Sequence, residues 1–220
     1  MCGIYGGIAL GRSPLQQLEM MEELAQLLRH RGPDAHGIKT TDRAALGAER
    51  LRIYDPTPAG DQPFSDNADN VWAVVNGAIY NAPDIRKRYP DYPYRSHTDA
   101  ETVVPLYLDM GLEFVSELDG MFAIAIYDAT RHSLTLARDR AGEKPLFFCQ
   151  LGDEIWFASE VQALLALPLP SQDIDMAAVR DFVTLGYVTE PKTMFKEIRK
   201  VKAGTYTTFS PSGRAEYGYW

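Results

Sequence analysis

The sequence predicts an α+β fold built mostly of antiparallel sheets. Strand signals outnumber helix signals and come in consecutive groups. No βαβ alternation runs through the chain, which sets a doubly wound parallel sheet aside. Length and composition agree: 220 residues, 45% hydrophobic and 24% charged, suit one large domain. A domain of that size buries about 70% of its unfolded surface.

Taken in order, residues 2–10 alternate well enough for a strand, with Ile4 and Ile8 on one side. Gly3, Gly6 and Gly7 within it mark close backbone approach. Ser13, Pro14 and Gln16 read as a helix start, with Ser13 as cap, Pro14 in the first helical position and Gln16 completing a capping box. The apolar face then runs Leu15, Leu18, Met21, Leu24 and Leu28 at helical spacing, and Arg31-Gly32-Pro33-Asp34 ends it as a turn. Short strands are predicted at 36–41, 44–54 and 71–75. A second helix spans 98–110, with Thr98 and Glu101 as a capping box and Val103, Leu106, Tyr107 and Met110 facing inward. Four strands follow at 121–128, 133–138, 146–150 and 155–158. Ser159 starts a third helix (Val161, Leu164, Leu165), Asp175 caps a fourth (Val179, Phe182, Val183), and Pro211-Ser212-Gly213 turns a final hairpin.

Charge and cysteine usage narrow the function classes. With 22 basic and 30 acidic residues the net charge is −8, which argues against a nucleic-acid surface. The densest basic cluster, Arg86-Lys87-Arg88, reads as a solvated helix end. There is no secretory signal pattern, and the longest apolar run, Met121 to Tyr127, is too short to span a bilayer. Cys2 and Cys149 make no disulfide framework. Cys149, in a strand-like run, reads as a buried structural thiol. His30, His36, His97 and His132 lack ligand-type spacing. No metal site is predicted, and a cytoplasmic setting is the default expectation.

Four places can carry chemistry. Cys2, once Met1 is removed, has a thiol nucleophile and a free α-amino group that can serve as its base. The unperturbed pKa of such an amine, about 7.7–8.0, leaves about a tenth of it neutral at pH 7. Asn76-Gly77 has two readings: a hairpin turn between apolar runs, or an oxyanion hole made by the Asn76 carboxamide and the Gly77 amide. Arg50 is either a forked partner for a substrate carboxylate or half of a surface ion pair with Glu49. Asp99 either receives a substrate ammonium or suits the first turn of a helix.

The order of these signals is more specific than any one of them. Met1-Cys2-Gly3-Ile4 is followed by His30-Arg31-Gly32-Pro33-Asp34, by Arg50-Leu51 with Ile53 and Asp55, and by Val75-Asn76-Gly77 with Ile79-Tyr80-Asn81. Thr98-Asp99 with Glu101 comes next, then Leu118-Asp119-Gly120-Met121-Phe122-Ala123, Arg138-Asp139-Arg140, Lys144-Pro145-Leu146 and Phe157-Ala158-Ser159-Glu160. Across nearly its whole length the chain resembles the class II glutamine amidotransferases, which are N-terminal-nucleophile (Ntn) hydrolases. Within them it is most similar to the glutaminase domain of glutamine-hydrolysing asparagine synthetases.

The resemblance implies a four-layer αββα sandwich, two antiparallel sheets between helix layers. It implies one domain over residues 1–220, with a core at about 2–209 and a hairpin or tail at 210–220 leading towards a synthetase domain outside this chain. It also implies roles. Cys2 attacks the side-chain amide of glutamine, and Asn76 and Gly77 hold the oxyanion. Arg50 grips the α-carboxylate and Asp99 the α-ammonium, with Leu51, Ile53 and position 78 completing the pocket. No metal or organic cofactor is expected in this domain; ATP and Mg²⁺ belong to the synthetase domain. The implied partners are glutamine and an ATP-pyrophosphatase-type synthetase domain or subunit, contacted through Phe195, Tyr217, Tyr219 and Trp220. A homodimer stays open, and neither nucleic acid nor membrane is expected.

The chain departs from the family pattern at two places. The family's Asn-Gly-Glu reads Asn76-Gly77-Ala78 here, which removes an acid facing the α-ammonium and predicts weak glutamine binding. Ala78 also keeps a second reading open, a non-catalytic glutamine-binding or scaffold module. Ala141 and Glu143 replace apolar residues, with no functional account.

Overall fold

A computed structural model describes residues 2–8, 14–169 and 171–220, apart from the side chains of Pro14 and Leu15. The elements are β1 (Gly3–Ile8), α1 (Pro14–Leu28), β2 (Ala35–Thr40), β3 (Ala44–Arg50), β4 (Phe64–Ser65), β5 (Val71–Ile79), α2 (Ala82–Arg88), α3 (Val103–Met110), β6 (Gly120–Asp128) and β7 (Ser133–Arg138). They continue with β8 (Phe147–Leu151), β9 (Glu154–Ala158), α4 (Val161–Leu165), α5 (Met176–Leu185), β10 (Ile198–Lys200), β11 (Thr205–Ser210) and β12 (Gly213–Gly218). One six-stranded sheet has the order β10-β8-β9-β1-β3-β2 and the other β12-β11-β7-β6-β5-β4. Every strand pair is antiparallel.

The period of two along each strand sorts side chains into layers. Ile4, Ile8, Leu46 and Ala48 of the first sheet meet Trp72, Val74, Ala123, Ala125 and Leu136 of the second in a core between the sheets. The alternate residues face outward on both sides. Tyr5, Ala45 and Trp156 pack under α1 and α4, and Val71, Ala73, Val75, Ile124 and Ile126 pack under α2 and α3. The layers run helix, sheet, sheet, helix, as the resemblance implies. Among the described residues no helix is long and apolar enough to cross a membrane.

Several sequence expectations need correction. The strand predicted at 44–54 ends at Arg50, because the Arg50 guanidinium turns the following carbonyls inward. The strand predicted at 71–75 continues to Ile79, so Asn76-Gly77 is no turn. Its partner β6 runs alongside without a break, Gly77 opposite Phe122, so the ladder overrides the local turn preference. Leu18 of α1 is 41% exposed, whereas Met21, Leu24 and Leu28 are buried. The proposed cap Ser13, the side chain of Leu15 and the strand end at 9–10 lie outside the described residues. Glu101 forms no capping box with Thr98. It accepts instead from the Arg95 and Ser96 amides and the Ser96 hydroxyl. Ser159 does not start a helix; its hydroxyl accepts from the Ile4 amide at 2.9 Å, and α4 begins at Val161. Arg86 is no solvated helix end, since it donates to the Ser96 and Thr98 carbonyls and stacks on Tyr94. Asp175 does cap α5, but Phe182 and Val183 of that helix are exposed. Phe195 packs into the α1/α4 core and Tyr219 stacks on Phe122, while Tyr217 and Trp220 remain exposed.

Candidate active site

Sheet parity aims three polar residues into one end of the space between the sheets. Cys2 shares parity with Ile4 and Ile8, Arg50 with Leu46 and Ala48, and Asn76 with Trp72 and Val74. Gly3 pairs with Glu49, which sets Cys2 next to Arg50 in the register. All eight sequence-derived site residues, Cys2, Arg50, Leu51, Ile53, Asn76, Gly77, Ala78 and Asp99, line one cavity of about 310 Å³. The structure adds Gln62, Thr98, Tyr54, Tyr80, Met121 and Lys144 to its wall. No sequence signal pointed to them as lining.

Two distant motifs lock the backbone of the nucleophile. Arg31 Nε donates to the Cys2 carbonyl at 3.1 Å while its NH1 donates to Glu160 at 2.7 Å. Ser159 accepts from the Ile4 amide through its hydroxyl and donates its own amide to the Ile4 carbonyl at 2.8 Å. Gly32 sits directly against β3, where a Cβ would collide with the Glu49 carbonyl. The Asp34 amide donates to the Arg50 carbonyl at 3.1 Å. Burial pushes the Cys2 thiol above its ordinary value, opposed by an amide hydrogen bond from Leu51 and the charge of Arg50.

Asn76 is fully buried, and neither its Oδ1 nor its Nδ2 has a hydrogen-bond partner among the described residues. A buried polar group left without a partner costs about 1–3 kcal/mol. The backbone beside it is prepared in the same way. On the open edge of β5 the Val75 amide donates to the Gln62 side chain at 2.6 Å and the Ile79 amide to Asp99 at 2.7 Å. Strand periodicity turns the Gly77 amide the same way, between those two acceptors. Gly77 has no room for a side chain, since a Cβ would collide with the Met121 carbonyl.

Asp99 is mostly buried, and desolvation raises its carboxyl above the usual range against the amides of Ile79, Asp99 and Ala100. Arg50 is buried and does not present a free fork. Its terminal nitrogens donate to Tyr54 O (2.9 Å), Asp55 O (2.7 Å), Thr57 O (3.0 Å) and Asp61 Oδ1 (2.6 Å). The alternative pairing with Glu49 is absent: Glu49 faces the helix layer and bonds Tyr5 and His36. Cys149 is buried, as expected, and desolvation pushes it up to about 12. Among the described residues no cluster of three or more His, Cys, Asp and Glu is placed to hold a metal ion.

A half-buried thiol, an unpartnered carboxamide and a free strand-edge amide facing one cavity make a site able to work on an amide carbonyl. The glutamine amidotransferase domain family matches residues 1–220, and the chain belongs to it. It is 34% identical over 219 residues to asparagine synthetase [glutamine-hydrolyzing] 1 of Bacillus subtilis, covering 97% of this chain and 34% of that protein. It is equally 34% identical over 233 residues to amidase chry2 of Gibberella zeae, covering 100% of this chain and 34% of that one. The chain thus spans about a third of the length of these relatives. A solved glutamine phosphoribosylpyrophosphate amidotransferase from B. subtilis superposes on 100% of this chain and 49% of its own, with a TM-score of 0.70 at 19% identity, a likeness of fold. A structure titled as the allosteric regulatory enzyme of purine biosynthesis gives a TM-score of 0.72 at the same identity, again over 100% of this chain and 49% of its own.

Proposed function

We propose that this domain hydrolyses the side-chain amide of glutamine through a thioester on Cys2. The observation that carries the reading is the buried, unpartnered Asn76 carboxamide in the cavity that Cys2 lines. A group so placed is destabilising in the empty protein and gains its partner when charge develops on a bound carbonyl oxygen.

The chemistry follows from the residues. With Met1 removed, the α-amino group of Cys2 takes the thiol proton and the sulfur attacks the amide carbon. The carbonyl electron pair moves onto oxygen, held by the Asn76 Nδ2 and Gly77 N–H donors. Collapse breaks the C–N bond, and the leaving nitrogen takes the proton from the Cys2 ammonium as ammonia. Water then cleaves the γ-glutamyl thioester to glutamate and restores the thiol. Asp99 receives the α-ammonium and Arg50 the α-carboxylate, with Leu51, Ile53 and Ala78 shaping the wall. The reaction so written calls on no cofactor.

The relatives named asparagine synthetase are about three times as long as this chain. By their likeness, ammonia released here is consumed by an ATP-dependent synthetase unit, with aspartate as the acceptor. The relative named amidase supports, as the second reading, hydrolysis of an amide other than that of glutamine.

Incubation with an electrophilic glutamine analogue, read by intact mass, tests the reaction. Labelling at Cys2 that glutamine blocks, together with ammonia release lost in Cys2→Ala, supports it. Labelling confined to Cys149, or ammonia release unchanged in Cys2→Ala, overturns it in favour of a glutamine-binding module.

A further inference from the structure

The Arg50 side chain already holds a carboxylate, that of Asp61, whose neighbours Gly60 and Gln62 line the cavity with Arg50. Asp61 Oδ1 accepts from Arg50 NH1 at 2.6 Å and from Arg52 Nε at 3.1 Å. Its Oδ2 accepts from Arg52 NH2 at 2.6 Å. The three remaining Arg50 bonds go to backbone carbonyls of the 54–57 loop and fix the guanidinium in place. Gly60 lies against this guanidinium, where any side chain would collide with it.

The four Arg50 partners differ in one respect. Among the described residues the carbonyls of Tyr54, Asp55 and Thr57 accept from no second cation, whereas Asp61 also accepts from Nε and NH2 of Arg52. Arg52 is 26% exposed at its side chain and Arg50 only 4%, so the deeper cation is the one that shares its anion. Two guanidiniums share one carboxylate, so Arg52 can keep Asp61 paired when Arg50 turns to another carboxylate. Asp34 adds a negative charge on the Arg52 side, where it accepts from the Arg52 backbone amide at 2.9 Å.

We infer that Asp61 is an internal stand-in for the substrate α-carboxylate, seated on Arg50 NH1 when the cavity is empty and displaced onto Arg52 when an α-amino acid binds. The inference rests on the proposed glutamine site and assigns its carboxylate selectivity to the Arg50–Asp61–Arg52 triad. Binding exchanges one Arg50–carboxylate contact for another, so the net affinity drawn from Arg50 is small. An amide without a carboxylate neither displaces Asp61 nor gains from its removal. Asp61 acts through Arg50 and is a positioning residue.

The test compares the KM for glutamine in ammonia release between the wild type, Asp61→Asn, Arg52→Gln and the double variant. Asp61→Asn keeps an acceptor of the same shape without the charge, and the expected KM falls about tenfold, the scale of one charge-assisted hydrogen bond. Arg52→Gln leaves Asp61 to Arg50 alone, and the expected KM rises. The double variant returns to the Asp61→Asn value, because Arg52 acts through Asp61. Inhibition by 4-aminobutanamide, which is glutamine without its carboxylate, is the same in wild type and Asp61→Asn. A glutamine KM that is unchanged or higher in Asp61→Asn overturns the inference, as does an equal shift for 4-aminobutanamide. If Asp61→Asn does not fold, Arg52→Gln decides: an unchanged KM there overturns it. Failure of the underlying reading is separate, since the wild type then releases no Cys2-dependent ammonia.

Discussion

Arg31 holds Cys2 by its backbone, not by its sulfur. The guanidinium bridges the Cys2 carbonyl at 3.1 Å and the Glu160 carboxylate at 2.7 Å, so a residue 29 positions along the chain aims the nucleophile. Removing it frees that carbonyl and leaves Glu160, whose carboxyl Arg31 and His30 hold below the ordinary range despite burial, to His30 and Gln162. Arg31→Ala is expected to lower kcat for ammonia release about 10- to 100-fold with KM little changed, since it touches aim and not binding. Arg31→Lys does not restore it, because a single ammonium lacks the fork that spans two acceptors. Steady-state kinetics checks both variants.

Asn76→Ala separates stability from activity. The wild-type carboxamide is buried without a partner, so its removal does not lower the denaturant midpoint and is expected to raise it slightly. Over the same substitution kcat is expected to fall about 10²–10³-fold, the scale of one lost oxyanion donor. Parallel urea titrations and kinetics give the two signs. A drop in stability with unchanged turnover refutes the oxyanion assignment.

Much of this arrangement was legible in the sequence, and the misses share a cause. Most strands of both sheets, though not the short edge strands β4 and β10, the helix at 14–28, the Asp175 cap and the final hairpin follow from local periodicity and turn chemistry. Local rules failed where a partner distant in sequence supplied the deciding bond. Asn76-Gly77 carries a strong turn signal, yet β6 and the Gln62 side chain hold it extended. Glu101 looks like a capping residue, yet it serves the amides of 95 and 96. The cavity residues emerged from the order of motifs, but Asp61 and Arg52 carry no pattern. Only the folded loop shows that Arg50 and Arg52 share Asp61.

The two cysteines are expected to react very differently. Cys2 lines the cavity and is partly exposed, whereas Cys149 is buried and its thiol is pushed up to about 12. Iodoacetamide at pH 8 is expected to modify the folded protein once, at Cys2, and the urea-unfolded protein twice, as intact mass will show. The Cys2 rate climbs with pH beyond the range of a free thiol, because burial raises its pKa.

The same Cys149 shift has a stability consequence. The unfolded thiol loses its proton first, around its ordinary value of 9.0, while the folded one keeps it to about 12. The native state therefore binds more protons, and stability falls as pH rises between those values, at about 1.4 kcal/mol per pH unit at most. Several buried tyrosines act in the same window, so the informative quantity is the difference between wild type and Cys149→Val. That difference is expected to change with pH above 9 and to be flat below it.

Glu101→Ala tests how the Asp99 segment is held. Glu101 is buried and accepts from the Arg95 amide at 2.8 Å, the Ser96 amide at 2.9 Å and the Ser96 hydroxyl at 2.6 Å, with Arg86 at 4.0 Å. Alanine leaves those donors without an acceptor, and each buried one costs about 1–3 kcal/mol. The expected loss is about 3 kcal/mol, which lowers Tm by roughly 6–12 °C for a chain of this size. Asp99 directly follows Thr98, whose carbonyl and that of Ser96 are pinned by Arg86, so loosening this segment also loosens the Asp99 carboxylate. The glutamine KM is therefore expected to rise together with the drop in Tm. Glu101→Gln keeps one acceptor oxygen and is expected to fall between wild type and alanine in both measurements. A Tm loss without any change in KM would mean that Asp99 is held by the Ile79 and Ala100 amides alone.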